Sequence, residues 1–340
     1  MLMMINIEKN SPIPHWQQEL RTAFTNISDL LVYLHLDSAD LSLQYQASKN
    51  FPLLATKSYV DRIKKSDWAD PLLRQILPLA DELKQHPDFI NDPVGDSQAS
   101  VMPGLLHKYH GRVLLVTTGA CAIHCRYCFR RAFPYSDNSA HRSQITAIID
   151  YLTNNPGITE VILSGGDPLT LSDAKFQHLI STLSDIQHID RIRIHSRIPV
   201  VLPSRITDKF LDTLASSDKK IIMVIHANHP NELNHEVEKG LLKMKQLGIT
   251  LLNQTVLLQG VNDDPVILTQ LSFRLFDCHT LPYYLHLLDK VSGAQHFDIN
   301  NPTVKILYEQ LQATLPGYLV PKLVREESGE AYKTPIQIQF

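Results

Sequence analysis

From residue 112 to residue 288 the chain alternates six short apolar runs, rich in β-branched residues, with stretches of helical periodicity. The runs are 112–117, 159–163, 191–195, 220–226, 250–256 and 283–288; the helical stretches include 142–153, 232–247 and 265–276. Strand followed by helix, repeated, makes a parallel sheet with right-handed helical crossovers the default architecture. The runs read as continuously apolar, as expected when both faces of a sheet are covered. Polar residues gather where the runs stop: Ser164-Gly165-Gly166-Asp167-Pro168, His195-Ser196-Arg197 and His226-Ala227-Asn228-His229-Pro230, with Asn253-Gln254 inside the fifth run and Asp289 ending the sixth. Barrels of this kind carry their sites at the carboxyl ends of the strands, so these groups should converge on one mouth. The expected fold is α/β, a partial six-stranded parallel (β/α)6 barrel, left open enough to admit a large ligand or two.

Three of the four cysteines, Cys121, Cys125 and Cys128, lie within eight residues directly after the first run. Thiolates so close together point to a metal. A cubane iron–sulfur cluster held by three cysteines keeps one iron open for a small molecule. Buried cysteines can be plain small hydrophobes, but three at this spacing argue otherwise. A Cys3His zinc site using His124 is the stronger alternative, although His124 immediately precedes Cys125 and would have difficulty reaching the same metal. Four cysteines among 340 residues form no disulfide framework. A formal charge of −3 argues against a nucleic-acid surface, and 44% hydrophobic content is that of an ordinary globular chain. Residues 1–8 lack a basic n-region and nothing later resembles a membrane span, so the cytoplasm is the expected compartment.

Before the barrel, residues 17–36 and 58–83 read as amphipathic and helical, interrupted by prolines, and Asn91-Asp92-Pro93-Val94-Gly95-Asp96 reads as a turn-rich joint. These features suggest a helical lobe over 1–100, a barrel over 101–315 and a C-terminal segment over 316–340. That last segment has strand-like stretches at 318–324 and 336–340 that should dock on the barrel. Lys333 between them is by default an exposed tail residue; docked, it could form a Schiff base. Arg130 beside Arg131 could hold a carboxylate bidentately or be half of a solvated basic pair. Gly165-Gly166-Asp167 is equally a generic turn or a place where backbone approaches a ligand. Asp289 and Glu326 flank apolar strands, where an unpaired carboxylate is costly, so they are either surface turn acids or receivers of a cation.

The cysteine spacing resembles that of the radical S-adenosylmethionine superfamily. Over residues 50 to 340 the chain resembles the lysine 2,3-aminomutase family, through Asp70-Pro71-Leu72-Leu73, His107-Lys108-Tyr109-His110-Gly111-Arg112-Val113-Leu114, Cys125-Arg126-Tyr127-Cys128-Phe129-Arg130-Arg131, Asn253-Gln254-Thr255-Val256-Leu257-Leu258, Pro316-Gly317-Tyr318 and Lys333-Thr334-Pro335. The resemblance implies a radical SAM barrel, a [4Fe-4S] cluster on Cys121, Cys125 and Cys128, and S-adenosylmethionine beside Gly165, Gly166, Asp167, His226 and Gln254. It implies pyridoxal phosphate on Lys333, with Lys108, often an arginine in the family, and Arg112 near the phosphate. Arg130 would pair with the carboxylate of L-lysine; Asp289 and Glu326, the latter where an aspartate is common, would read its distal ammonium. Asp264 stands at the position of a zinc ligand of clostridial members, and no cysteine-bearing tail follows, so no zinc is expected. The shorter bacterial members supply (R)-β-lysine for attachment to elongation factor P by a lysyl-tRNA-synthetase-like ligase, which implies those two proteins and a reductant protein as partners, and neither nucleic acid nor membrane. The competing readings are an aminomutase for glutamate or arginine, of which the acidic pair Asp289 and Glu326 would repel an acidic substrate, and a non-catalytic zinc or iron–sulfur protein.

Overall fold

The structure is a computed structural model that describes residues 13–37, 40–135 and 142–336, the side chains of residues 142 and 143 excepted. The apolar start at 1–8 and the last part of the strand-like stretch 336–340 lie outside the described residues.

Ten strands form one sheet in chain order: β1 Ser100–Met102, β2 Leu105–Tyr109, β3 Arg112–Thr118, β4 Glu160–Gly165, β5 Arg191–Ser196, β6 Lys220–Ile225, β7 Thr250–Val256, β8 Leu281–His286, β9 Lys322–Arg325 and β10 Thr334–Pro335. Neighbours from β3 to β9 pair in parallel, while β1, β2 and β10 add antiparallel edges. The sheet curls as a barrel does, and because β1 and β10 are not paired the barrel is partial. The six runs read from the sequence are β3 to β8. The tail contributes β9 as a further parallel strand, and the β1–β2 hairpin was not expected.

Helices cross from strand to strand on the outside. Several start at a side-chain cap at the end of a short loop: Thr207 accepts from the Phe210 amide, Asn234 from Val237, Asp264 from Val266 and Asn300 from Thr303. Such a cap contributes about 1 kcal/mol. Asp264, the residue at the zinc-ligand position, thus serves as a helix cap. The helix Asp173–Ser184 turns Phe176, Leu179, Ile180 and Leu183 inward, the spacing of one buried helical face.

The expectation of continuously apolar strands needs one correction. In β5 the partly buried Arg191, Arg193 and His195 alternate with fully buried Ile192, Ile194 and Ser196. The isoleucines are packed, while Arg193 and His195 line a cavity and Arg191 pairs with Glu160, so that side tolerates charge.

The two long helical stretches expected before residue 100 are broken into short helices, among them His15–Arg21, Ile27–Tyr33, Lys57–Val60 and Pro71–Arg74. Positive φ at His35 and Ser66 turns the chain between helices, and Pro71 opens the helix Pro71–Arg74 at its first position, where its missing N–H is harmless. Their buried faces do not form a separate core. Trp16, Leu30, Tyr59 and Leu72 belong to the same continuous cluster as Leu115, Leu163 and Ile194 of the sheet.

Candidate active site

The carboxyl ends of the strands surround a cavity of about 1080 Å³ lined by Cys121, Cys125 and Cys128 and, across it, by Lys333 and Glu326 of the tail. All three thiols are free and half-buried. The loop carrying them is pinned on both sides. Gly166 N donates to Thr118 O at 2.7 Å and Asp167 N to Ala120 O at 2.8 Å. On the other side the fully buried Arg126 donates to Phe51 O and to both oxygens of Glu82, which also receives Arg131 Nη2 at 2.6 Å. Arg131 therefore holds the loop rather than a ligand. His124 is also engaged away from the metal loop, with Nδ1 2.9 Å from Pro52 O and its ring stacked on Phe51, which disfavours the Cys3His zinc alternative. Burial, and after it the neighbouring Cys125 sulfur, push the Cys128 thiol up to about 11, and Cys121 is raised by burial and then by Cys128 and Asp167. Three crowded, partly desolvated sulfurs need a cationic metal centre to bind as thiolates, and an iron–sulfur cluster fits that donor set.

Gly165 and Gly166 are fixed by close approach, though not in the way expected. A Cβ on Gly166 would stand 2.4 Å from Ala120 O, and one on Gly165, which has φ +115, 2.7 Å from Thr118 O. The backbone that approaches them is the cysteine loop itself; both glycines also line the cavity. Asp167 accepts from Leu169 N, Ser196 Oγ, Arg197 N and Ile198 N. A carboxylate has about four acceptor positions. Its oxygens therefore join the end of β4 to the end of β5, while the residue also lines the cavity.

The tail lysine is not frayed. Lys333 Nζ donates to Glu326 Oε2 at 2.6 Å, and Glu326 Oε1 receives Lys108 Nζ at 3.3 Å and Tyr109 OH at 3.2 Å. Lys108 continues to Asp96 Oδ1 at 2.7 Å, and Asp96 Oδ2 receives Arg130 Nε at 2.7 Å. Charges alternate along this chain from Lys333 to Arg130. Burial alone would raise Glu326, but Lys333 and Lys108 outweigh it and hold the carboxyl far below the ordinary range. Asp289 lacks such a partner: burial, helped by the Glu326 charge, pushes it up to about 7. Lys108 has its three donors on Val94 O, Asp96 and Glu326, so the expected phosphate contact is not its arrangement here. Arg112 lies over the Tyr109 ring at 4.6 Å and lines the same cavity, as does Arg193 of β5, which sequence reasoning missed.

Among the described residues, His195 Nε2, His226 Nε2, His286 Nε2, Gln254 Oε1 and Asp289 Oδ1 are buried without hydrogen-bond partners, and all five residues line this cavity. Each such orphan costs about 1–3 kcal/mol. Burial pushes His226 down to about 3, so its imidazole is neutral and able to donate or accept. So many orphans in one cavity fit polar ligands that would satisfy them. His195 and Arg197 had been visible as strand-end polar residues; His286 had no signal beyond its place at the end of an apolar run.

A family model described as the radical SAM superfamily matches residues 115–270. The chain is 46% identical over 326 residues to the L-lysine 2,3-aminomutase of Buchnera aphidicola, covering 96% of each chain. It is 43% identical to that of Escherichia coli, covering 96% of this chain and 95% of the other, and 35% identical to that of Clostridium subterminale, covering 96% and 78%. A partly open α/β barrel, a three-cysteine loop after its first parallel strand and this level of identity over nearly the whole length agree, and the chain belongs to the lysine 2,3-aminomutase family of radical SAM enzymes.

Proposed function

We propose that the chain is an isomerase that moves the amino group of L-lysine from C2 to C3, giving β-lysine in its R form, with a [4Fe-4S] cluster, S-adenosylmethionine and pyridoxal phosphate as cofactors. The observation that carries the reading is that Lys333 lies in the cavity of the three cysteines with its ammonium 2.6 Å from Glu326. When bound, these groups supply radical hydrogen abstraction and electron delocalisation over the migrating nitrogen.

The chain's own residues hold and orient. Cys121, Cys125 and Cys128 ligate the cluster; His226 and Gln254, with Gly165 and Gly166, border S-adenosylmethionine. Lys333 is the covalent anchor for pyridoxal phosphate, and Arg112 is the cation on the cavity wall available to its phosphate. Arg130 has Nε on Asp96 and Nη1 on Ser164 Oγ at 3.2 Å, which fixes the guanidinium plane with Nη2 left to meet the substrate carboxylate. Lys333 would hold pyridoxal phosphate through its Nζ, and Glu326, with Asp289 on the same cavity wall, would receive the distal ammonium of lysine. An acidic substrate would meet these two carboxylates, which favours lysine over glutamate. In this reading the product is passed to a lysyl-tRNA-synthetase-like ligase that modifies elongation factor P, and a reductant protein feeds the cluster.

The test is anaerobic reconstitution with iron, sulfide and pyridoxal phosphate, followed by S-adenosylmethionine, reductant and lysine. β-Lysine is expected. Cleavage of S-adenosylmethionine with no β-amino acid from lysine would overturn the aminomutase reading.

A further inference from the structure

Arg197 is almost fully buried, at 4% exposure, directly behind the cysteine loop. Its Nη1 is directed at Cys125 Sγ as a donor, and its Nη2 donates to Gln75 Oε1 at 2.7 Å and to Glu232 Oε2 at 3.0 Å. The rings of Tyr59 and Tyr127 lie 5.5 Å from the guanidinium carbon, and the Arg197 backbone N–H is held by Asp167 Oδ2 at 2.8 Å. Glu232 is itself fixed, its other oxygen accepting from Asn228 N at 2.9 Å and His229 N at 3.1 Å. A buried ion pair is a poor device for stability, since well-packed apolar residues often serve as well or better. Here one prong of the guanidinium is aimed at a sulfur, and the counter-charge sits on the far prong.

We propose that Arg197 sets the reduction potential of the cluster by donating a charge-assisted hydrogen bond to the Cys125 ligand, with Glu232 tempering the charge. The inference rests on the reading that the three cysteines hold the cluster. Hydrogen bonds to ligand sulfurs and nearby positive charge stabilise the reduced cluster, which carries one more electron, and so raise its potential. Arg197 touches neither substrate nor S-adenosylmethionine in this account; it acts through Cys125 as a positioning and tuning residue. The rigid fork matters, because a lysine could not meet Cys125, Gln75 and Glu232 from one plane.

The direct test uses the wild-type chain, reconstituted and reduced with dithionite, carrying arginine labelled with nitrogen-15 only in the guanidinium group. Pulsed electron paramagnetic resonance is expected to show a guanidinium nitrogen coupled to the reduced cluster and lost in Arg197→Lys. Absence of that coupling in the wild type, or its persistence in the lysine variant, overturns the inference, whereas failure of the wild type to bind a cluster at all overturns the reading beneath it. Redox titration gives the functional readout. At the wild-type midpoint, the ratio of reduced to oxidised cluster in Arg197→Gln should fall about tenfold, equivalent to about 59 mV for one electron. Glu232→Gln should move the midpoint the opposite way. Unchanged midpoints in variants with full iron content would contradict the proposal; should a variant fail to hold its cluster, the wild-type spectrum decides.

Discussion

Asp289 is a half-buried residue whose Oδ1 is sealed from solvent without a partner, in a cavity where a second acid, Glu326, already has cationic partners. Its pKa of about 7 in the free site makes it a titrating part of substrate recognition. Binding an ammonium favours the carboxylate, so the bound-state pKa falls and lysine binding releases a proton below neutrality. The sign follows: affinity for lysine rises with pH up to about 7 and levels off above it, by up to about tenfold per unit on the rising limb. Isothermal titration of the holoenzyme in buffers of different ionisation enthalpy measures both the affinity and the proton released. Asp289→Asn should bind more weakly and lose this pH dependence; retention of the slope would assign it to another group. Residues such as Cys121, Cys125 and Cys128 were legible in the sequence because their partner lies within the same loop. The roles of Asp96, Glu82 and Arg197 were not, because their partners stand 34, 44 and 72 residues away. The reading of Lys333 as an anchor needed a family resemblance, since nothing local separates an anchoring lysine from a tail lysine.

At the level of elements, the junction of β3 and β4 determines where the metal loop lies. Its Thr118–Ala120 backbone rests on Gly166, where an added Cβ would stand 2.4 Å from one backbone atom and 2.7 Å from another. Backbone cannot rotate aside as a side chain can. Gly166→Ala should therefore cost about 1–3 kcal/mol and displace the loop. The checks are a lowered melting temperature and less iron bound per chain after reconstitution. Full iron binding with an unchanged melting temperature would mean that the junction is looser than described. The strands were readable because each keeps an apolar face toward the helices, and the turns between them carry Ser, Thr, Asn or Asp caps. The β1–β2 hairpin was hidden by its shortness, three and five residues, and by the turn-rich segment before it. The polar lumen side of β5 was hidden too, because Arg191, Arg193 and His195 alternate with isoleucines in a way that equally suits a solvent-facing strand.

Across the molecule, the largest apolar cluster and the main cavity both join segments far apart in the sequence. Helices from the first hundred residues pack into the same cluster as the sheet, with Trp16 under the Arg205 guanidinium at 4.5 Å. Truncating Leu30, which has no exposure, to Ala should cost about 2–5 kcal/mol and lower the melting of the whole chain in a single transition. Two separate transitions in calorimetry would show that the helical segment is an independent unit. The cavity joins residues far apart in sequence, from the cysteine loop to the tail, and the account stands on both ends serving one reaction. The most direct measurement compares lysine turnover by three reconstituted chains: wild type, Lys333→Ala and Cys125→Ala. The wild type should form β-lysine and neither variant should, while Lys333→Ala keeps the reduced-cluster signal and Cys125→Ala keeps the absorbance of pyridoxal phosphate bound to lysine. β-Lysine formed by the Lys333 variant, or a pyridoxal adduct retained by it, would contradict the account.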